Sequence, residues 1–239
     1  RFDHHDKFGT HNSPRAYLVL QPNDVLTVKG GVAQGFRAPS LKENTAGAAT
    51  RSGGNGCTSL KPLGYVSGGC YMAGNADLQP EESTNYEIGF NFAQNDFDLG
   101  LTYFHTDFKN KIEYRALGEI NGVWWTQYQN AEKARVRGLE ASVALPLLDN
   151  LSWKTNATYY FESKNLVTGK NLSTIPELSV YSALNWTPTD PLSLELAAQY
   201  TGEQYTASAE DTVVMQKPHT VFNLSANYEV NDQVTVRAG

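Results

Sequence analysis

Cys57 and Cys70 are the only cysteines in the 239-residue chain. They bound the stretch G-C-T-S-L-K-P-L-G-Y-V-S-G-G-C (56–70), which holds glycines, a proline, a lysine and a tyrosine and nothing that reads as a core. A chain of this length has set its two thiols at the ends of a soft polar hoop. Around them the segment from Arg37 to Asp77 is locally basic, with Arg37, Lys42, Arg51 and Lys61 against Glu43 and Asp77, and with Tyr65 and Tyr71 in between. A second concentration is Arg115 with Trp124, Trp125 and Tyr128. A third is Asp3-His4-His5-Asp6 with His11 nearby. Histidine and aspartate are metal-ligand types, but adjacent residues of a strand point to opposite faces, so no metal site is expected there. Lys109, Lys111 and Glu113 read as solvated rim charges.

Catalytic patterns are missing. The chain has no G-x-S-x-G elbow, no H-E-x-x-H and no phosphate-binding glycine loop, and His105 and His219 lie far from the three N-terminal histidines. An enzyme is not expected. The net charge of −6 argues against a nucleic-acid partner. Mean hydropathy is −0.44, and no stretch approaches the ~18 apolar residues of a membrane helix. A membrane barrel remains open, because its strands are apolar on one face only.

The elements that position these residues repeat with period two. Leu192, Leu194, Leu196, Ala198 and Tyr200 alternate with Ser193, Glu195, Ala197, Gln199 and Thr201. Phe222, Leu224, Ala226 and Tyr228 alternate with Asn223, Ser225 and Asn227, and Tyr86, Ile88, Phe90 and Phe92 with Glu87, Gly89 and Asn91. A helix would scatter these apolar residues round its circumference, so strands are expected. Ten are read: 14–21, 24–36, 81–93, 97–115, 128–146, 151–166, 177–187, 191–206, 218–230 and 233–239. Their connectors alternate strictly between short polar turns (21–24, 94–96, 147–150, 189–191, 231–233) and long loops (37–80, 116–127, 167–176, 207–217). That alternation is the signature of an outer-membrane barrel, with short periplasmic turns and long extracellular loops. The non-apolar face is rich in Asn, Ser, Thr, Gly and Gln, with isolated charges such as Lys29, Glu87, Glu140 and Lys154, which suits a hydrated lumen. Trp153, Trp186, Tyr159, Phe161 and Tyr200 are placed to form interfacial girdles. A large soluble β-domain is the bland alternative.

Longer stretches carry a resemblance. R-F-D-H-H (1–5), T-V-K-G-G-V-A-Q-G-F-R-A-P-S-L (27–41), G-N-A-D-L-Q-P-E-E-S-T-N-Y-E-I-G-F (74–90), N-K-I-E-Y (110–114), K-A-R-V-R-G-L-E-A-S (133–142) and L-S-T-I-P-E-L-S-V-Y-S-A-L-N-W (172–186) occur in order. Together they resemble the C-terminal half of TonB-dependent outer-membrane receptors. The cysteine-flanked loop looks most like the catecholate-siderophore branch, which includes ferric-enterobactin and colicin I receptors. The resemblance implies an all-β, antiparallel, up-and-down transmembrane β-barrel. This chain would supply about ten strands of a 22-stranded plugged barrel, without the plug or the last strand. If Arg1–His5 ends the eleventh strand, the ten are numbers twelve to twenty-one. Both chain ends read as cuts, so residues 1–239 are expected to be part of a single barrel domain, with 37–80 a long extracellular loop.

The function implied is energy-coupled import of a ferric siderophore, a catecholate by its branch, with extracellular loops capturing the ligand. Cys57 and Cys70 would then form a disulfide, formed in an oxidising compartment, that pre-shapes the loop or protects it. Ferric catecholates are anionic and aromatic, so cations and aromatic faces suit them. The ligand contacts expected are Arg37, Arg51, Lys61, Tyr65, Tyr71, Arg115, Trp124, Trp125 and Tyr128. No cofactor is implied, iron arriving already chelated. Expected partners are the siderophore, outer-membrane lipid and lipopolysaccharide, the TonB energy-coupling complex, and colicins or phages. Competing readings are a passive porin-type channel and a surface adhesion barrel.

Overall fold

A computed structural model describes residues 1–239 except Gly54, Thr168, Lys170, Ser173, Thr174 and residues 209–212. In chain order the strands are β1 (Phe2–His5), β2 (Gly9–Asn12), β3 (Arg15–Asn23), β4 (Leu26–Arg37), β5 (Ala49–Ser52), β6 (Cys70–Ala73), β7 (Glu81–Gln94) and β8 (Phe97–Ile120). They continue with β9 (Val123–Leu148), β10 (Leu151–Asn165), β11 (Leu178–Thr189), β12 (Leu192–Thr201), β13 (Gln204–Ser208), β14 (Val213–Gln216), β15 (His219–Asn231) and β16 (Val234–Ala238). A one-turn helix, α1 (Leu41–Asn44), and a 3₁₀ segment (Asn55–Leu63) lie in the loop between β4 and β7.

Ten of these strands, among the described residues, form one antiparallel ladder in the order β16-β15-β12-β11-β10-β9-β8-β7-β4-β3. Each neighbour in that order is also the next ladder strand in sequence, as in an up-and-down meander. Each of the ten expected strands has a counterpart in this ladder, the eighth in shortened form. The sheet is open, with β3 and β16 at its edges.

The register carries one face right across the sheet. Ile88 pairs with Tyr103, Tyr103 with Leu139, Leu139 with Tyr159 and Tyr159 with Leu178. Leu184 pairs with Leu196 and Leu196 with Leu224. Directly paired residues share a face, so these rungs form a continuous apolar wall. The next rungs belong to the other face: Gly89 with Thr102, Thr102 with Glu140, and Glu140 with Thr158. A shallow polar basin on that face is lined by Lys29, Asn91, Thr102, Glu140, Ser142 and Asn156. Tyr159 meets Phe161 edge-on at 5.2 Å, and Tyr103 lies 6.4 Å from Phe161, at the upper limit of the apolar wall.

Two expectations need correction. The long loop 116–127 is a two-residue turn. Asn121 and Gly122 take φ of 53° and 77°, the left-handed conformation that an Asn-Gly hairpin turn uses, and β8 and β9 pair up to Ile120 and Val123. The expected strand 191–206 breaks at Gly202, and β13 leaves the sheet to pair with β14. Loop 207–217 takes in the end of β13 and the whole of β14, with residues 209–212 outside the described residues; in 167–176, Thr168, Lys170, Ser173 and Thr174 lie outside them, and Asn171 bridges to Lys164. Residues 1–5, expected to end the strand before the ten, supply β1, which lies outside the ten-strand ladder. Strand β1 forms its own hairpin with β2.

Candidate functional site

The β8–β9 hairpin stands well beyond the ends of its neighbours. β7 pairs with β8 only as far as Lys109, and β10 with β9 only as far as Ala134. The projecting part has two free edges. The loop between β4 and β7 crosses one face of this projection and reaches the far edge. There β6 pairs in parallel with β9, Tyr71 opposite Trp125 and Met72 opposite Thr126. β5 adds to β6, with Arg51 opposite Tyr71 and Ser52 opposite Cys70.

The loop is pinned at its root. The Glu43 carboxylate of α1 accepts hydrogen bonds from the Ser40 N–H at 2.7 Å and hydroxyl at 2.8 Å, and from Arg37 Nη1 at 3.1 Å. Arg37 also donates through Nε to Glu81, whose other oxygen accepts the Ile112 N–H at 2.6 Å. Burial pushes the Glu43 pKa up, but the Ser40 and Arg37 hydrogen bonds outweigh it, and the carboxyl titrates below its usual range. The Glu81 hydrogen bond raises the Arg37 pKa against burial, and Glu43 adds to it. Lys7 on the β1–β2 turn donates to Asn44 Oδ1 and to Ala76 O, both at 2.7 Å, clamping the two limbs together. Asn130 Nδ2 donates to Gln79 O and Asn110 O at 2.8 and 2.7 Å, which ties the returning limb to the hairpin.

Cys57 and Cys70 are bonded, and both are buried. The hoop they close has a core after all. Leu60, Tyr65 and the disulfide are buried together, with Ala116 and Trp124 of the hairpin packed against them. Tyr65 meets Trp124 edge-on at 5.9 Å, and its hydroxyl oxygen accepts the Gly69 N–H at 2.9 Å. The sequence hid this core because half of it is supplied by residues some fifty positions downstream.

The expected ligand residues fall into separate places. Tyr65 and Tyr128 are only 7% and 3% exposed. Trp124 packs on the loop core. Tyr65 and Tyr128 therefore offer a ligand little surface, and the half-buried Trp124 is turned to the loop core. Arg37 is committed to two carboxylates at the root. Lys61 projects from the 3₁₀ segment into solvent. The remaining four share one face. Arg51, Tyr71 and Trp125 are aligned by register across β5, β6 and β9, and Arg115 lies opposite Gln127, two residues along β9 from Trp125. Tyr71 stacks on Trp125 at 5.1 Å. Arg51 donates from Nη2 to Gly68 O at 3.3 Å, so the disulfide hoop steers the guanidinium. The result is a platform of two stacked rings, Tyr71 exposed and Trp125 half-buried, flanked by the exposed Arg51 and Arg115, suited to an anionic aromatic group. The parallel pairing of β6 with β9 assembles it, and local spacing gave no sign of that pairing.

The N-terminal histidines are otherwise engaged. His4 meets Thr10 Oγ1 at 3.1 Å, His5 lies against Phe8, and His11 stacks on Phe36 at 3.8 Å.

The profile of the family described as TonB dependent receptor-like, beta-barrel, matches residues 1–239. The ferric enterobactin receptor PirA of Pseudomonas aeruginosa is 37% identical over 249 residues, covering 100% of this chain and 33% of that protein. The ferrienterobactin receptor of Escherichia coli is 36% identical over 252 residues, again covering 100% of this chain and 33% of the relative. Among solved structures, the siderophore receptor PirA from Pseudomonas aeruginosa superposes with a TM-score of 0.80 at 33% identity, over 99% of this chain and 39% of that one. The siderophore receptor PirA from Acinetobacter baumannii gives 0.78 at 27% identity, over 99% and 37%. The chain thus spans about a third of the length of the curated relatives it matches. Its apolar wall is a lipid-facing surface, and its polar face looks into a lumen. The chain belongs to the TonB-dependent receptor β-barrel family, non-enzymatic transporters of the bacterial outer membrane.

Proposed function

We propose that this chain is part of an energy-coupled importer that captures a ferric catecholate siderophore at its extracellular loops. The observation that carries the reading is the Arg51–Tyr71–Trp125 row, with Arg115 beside it. Catecholate rings offer π-faces to Tyr71 and Trp125, and the anionic chelate offers charge to the two arginines. Lys61 lies outside the row and supplies long-range attraction. The Cys57–Cys70 bridge lowers the entropy lost when the loop closes on ligand. Tyr65, Trp124 and Tyr128 act by holding the platform rather than by touching ligand. Relatives whose names are ferric enterobactin receptors support the substrate class. Transport energy would come from the TonB complex acting on parts of the receptor outside this chain.

The test is a tryptophan-quenching titration of the full-length receptor with ferric enterobactin, with a ferric hydroxamate as control. Selective quenching by the catecholate, weakened at least about tenfold by Arg51→Ala, is expected. Equal or absent quenching by both removes the catecholate assignment. The passive channel reading then predicts uptake independent of the energy complex. The adhesion reading, with colicin or phage as partner, predicts loop-dependent protein binding without uptake.

A further inference from the structure

Behind the platform the loop carries a second row. Thr50, Met72 and Thr126 are aligned by register across β5, β6 and β9. Each is the chain neighbour of a platform residue, so the row points to the opposite face of the strands. The disulfide hoop covers that face. Gly56, next to Cys57, lies so close to the Met72 thioether that a Cβ on the glycine would overlap Sδ. The Gly56 N–H donates to Ser52 Oγ at 2.9 Å, beside Arg51.

The polar groups around this thioether are under-used. Thr50 Oγ1 is buried and has no hydrogen-bond partner among the described residues. Thr126 is fully buried, and its hydroxyl reaches Gly56 O and Tyr71 O only at 3.5 Å each. Both threonines are directly opposite Met72 and share its face. A thioether is a weak acceptor and gives these hydroxyls little to donate to. A sulfoxide oxygen is a polar acceptor in the same place. Access also singles out this sulfur. Cys57 and Cys70 are 0% and 1% exposed, whereas Met72 is half-buried and open to a small oxidant.

We propose that Met72 is an oxidation site through which a peroxide releases the disulfide hoop from the platform strands. The Sδ lone pair attacks one oxygen of hydrogen peroxide, and the O–O bond breaks. Sulfur keeps that oxygen and gives up two electrons. The other oxygen leaves as hydroxide and takes the proton of the transferred oxygen, forming water. The new S–O group has no room on the Gly56 side. It accepts from the Thr50 and Thr126 hydroxyls, and the side chain withdraws from Gly56 towards them. The hoop loses its footing, and Gly68, whose carbonyl holds Arg51, moves with it. Methionine sulfoxide is enzymatically reducible, so the change is reversible. Capture weakens when peroxide is present, the condition in which imported iron feeds hydroxyl-radical chemistry. That effect on capture rests on the catecholate reading; the effect on the loop does not.

The test treats full-length receptor in detergent with hydrogen peroxide. Site-resolved mass spectrometry reads sulfoxide at Met72 and at the exposed Met215, and amide exchange reads residues 56–60 and 70–73. Oxidation should speed exchange in both segments at least about tenfold while the ten-strand ladder stays protected. Met72→Leu, a swap of similar volume, should keep the hoop docked with or without peroxide. Met72→Gln, which carries a polar acceptor, should exchange fast without peroxide, and Met215→Leu should behave as the wild type. Should a Met72 variant fail to fold, treated against untreated wild type still decides. Protection of Met72 while Met215 is oxidised, a Met72 sulfoxide with unchanged exchange, or acceleration that persists in folded Met72→Leu overturns the proposal. Quenching by ferric enterobactin is read alongside. Its absence in untreated receptor removes the catecholate reading and leaves the exchange result standing.

Discussion

Tyr71 lies on Trp125 with ring centroids 5.1 Å apart and planes 28° from parallel, across the one parallel strand pairing among the described residues. The pair joins the disulfide loop to the far edge of the projecting hairpin. It is both the aromatic part of the candidate platform and a seal on the loop's docked position. Tyr71→Ala and Trp125→Ala should each loosen the loop, and a double-mutant cycle on amide exchange of residues 70–73 should return a coupling of about 1 kcal/mol. A coupling indistinguishable from zero would mean the rings are merely adjacent.

The disulfide has a local job. Cys57→Ser with Cys70→Ser opens a short hoop, worth about 3 kcal/mol in the chain-entropy account. Limited proteolysis should then cut between residues 55 and 70, while the ten-strand ladder keeps its protection. Loss of the whole barrel on reduction would contradict this, because the bridge packs with Leu60 and Tyr65 of the loop and with Ala116 and Trp124 of the hairpin tip.

Acid should unlatch the root of the loop. Glu43 titrates below the ordinary carboxylate range when folded, because the Ser40 and Arg37 hydrogen bonds overcome the opposing effect of burial. The unfolded or undocked loop binds its proton first, near pH 4.3. The stabilisation is therefore complete above that value and is lost as pH falls through the lower folded pKa. Arg37 stays charged throughout. Exchange of amides in residues 40–45 should accelerate below about pH 4 in the wild type, and Glu43→Gln should be fast at every pH.

Gly69 is a further handle on the platform. Its φ is +86°, and a Cβ there would stand 2.5 Å from the Ser52 carbonyl oxygen. Gly69→Ala should cost about 1–3 kcal/mol of loop stability and displace Gly68, whose carbonyl holds Arg51. Gly122→Ala at the hairpin tip, where φ is +77° but the space is open, should cost about 1 kcal/mol and leave ligand quenching unchanged. Comparable losses of ligand quenching in both variants would detach Arg51 from the hoop.

Legibility in the sequence followed locality. Side chains in a strand alternate because of backbone geometry alone, so Leu192–Tyr200 and Phe222–Tyr228 announced their strands and their lipid face. The turns between β7 and β8 and between β9 and β10 were marked by Q-N-D and L-L-D-N in the same way. Asn121-Gly122 carried a hairpin signal as well. The bulky W-W around it read as a binding loop because the partner that covers Trp124 is distant in sequence. Candidate ligand residues were recognised by type, and type does not separate Trp124 from Trp125: neighbours on one strand, one faces the loop core and the other the platform.

The amino-acid order settled the class of fold, the strands of the ladder, the apolar wall and the membership of the family, since each rests on short-range alternation or on contiguous motifs. Folding in three dimensions decided the rest. Which cations stand free and which are spent on carboxylates depends on neighbours brought together across strands, as with Arg37 between Glu43 and Glu81. That the cysteine hoop has a core depends on Leu60 and Tyr65 meeting Ala116 and Trp124. The Arg51–Tyr71–Trp125 row exists only because β6 adds in parallel to a β9 edge that β10 is too short to cover. Backbone hydrogen-bonding groups on such an edge need partners, and the loop supplies them.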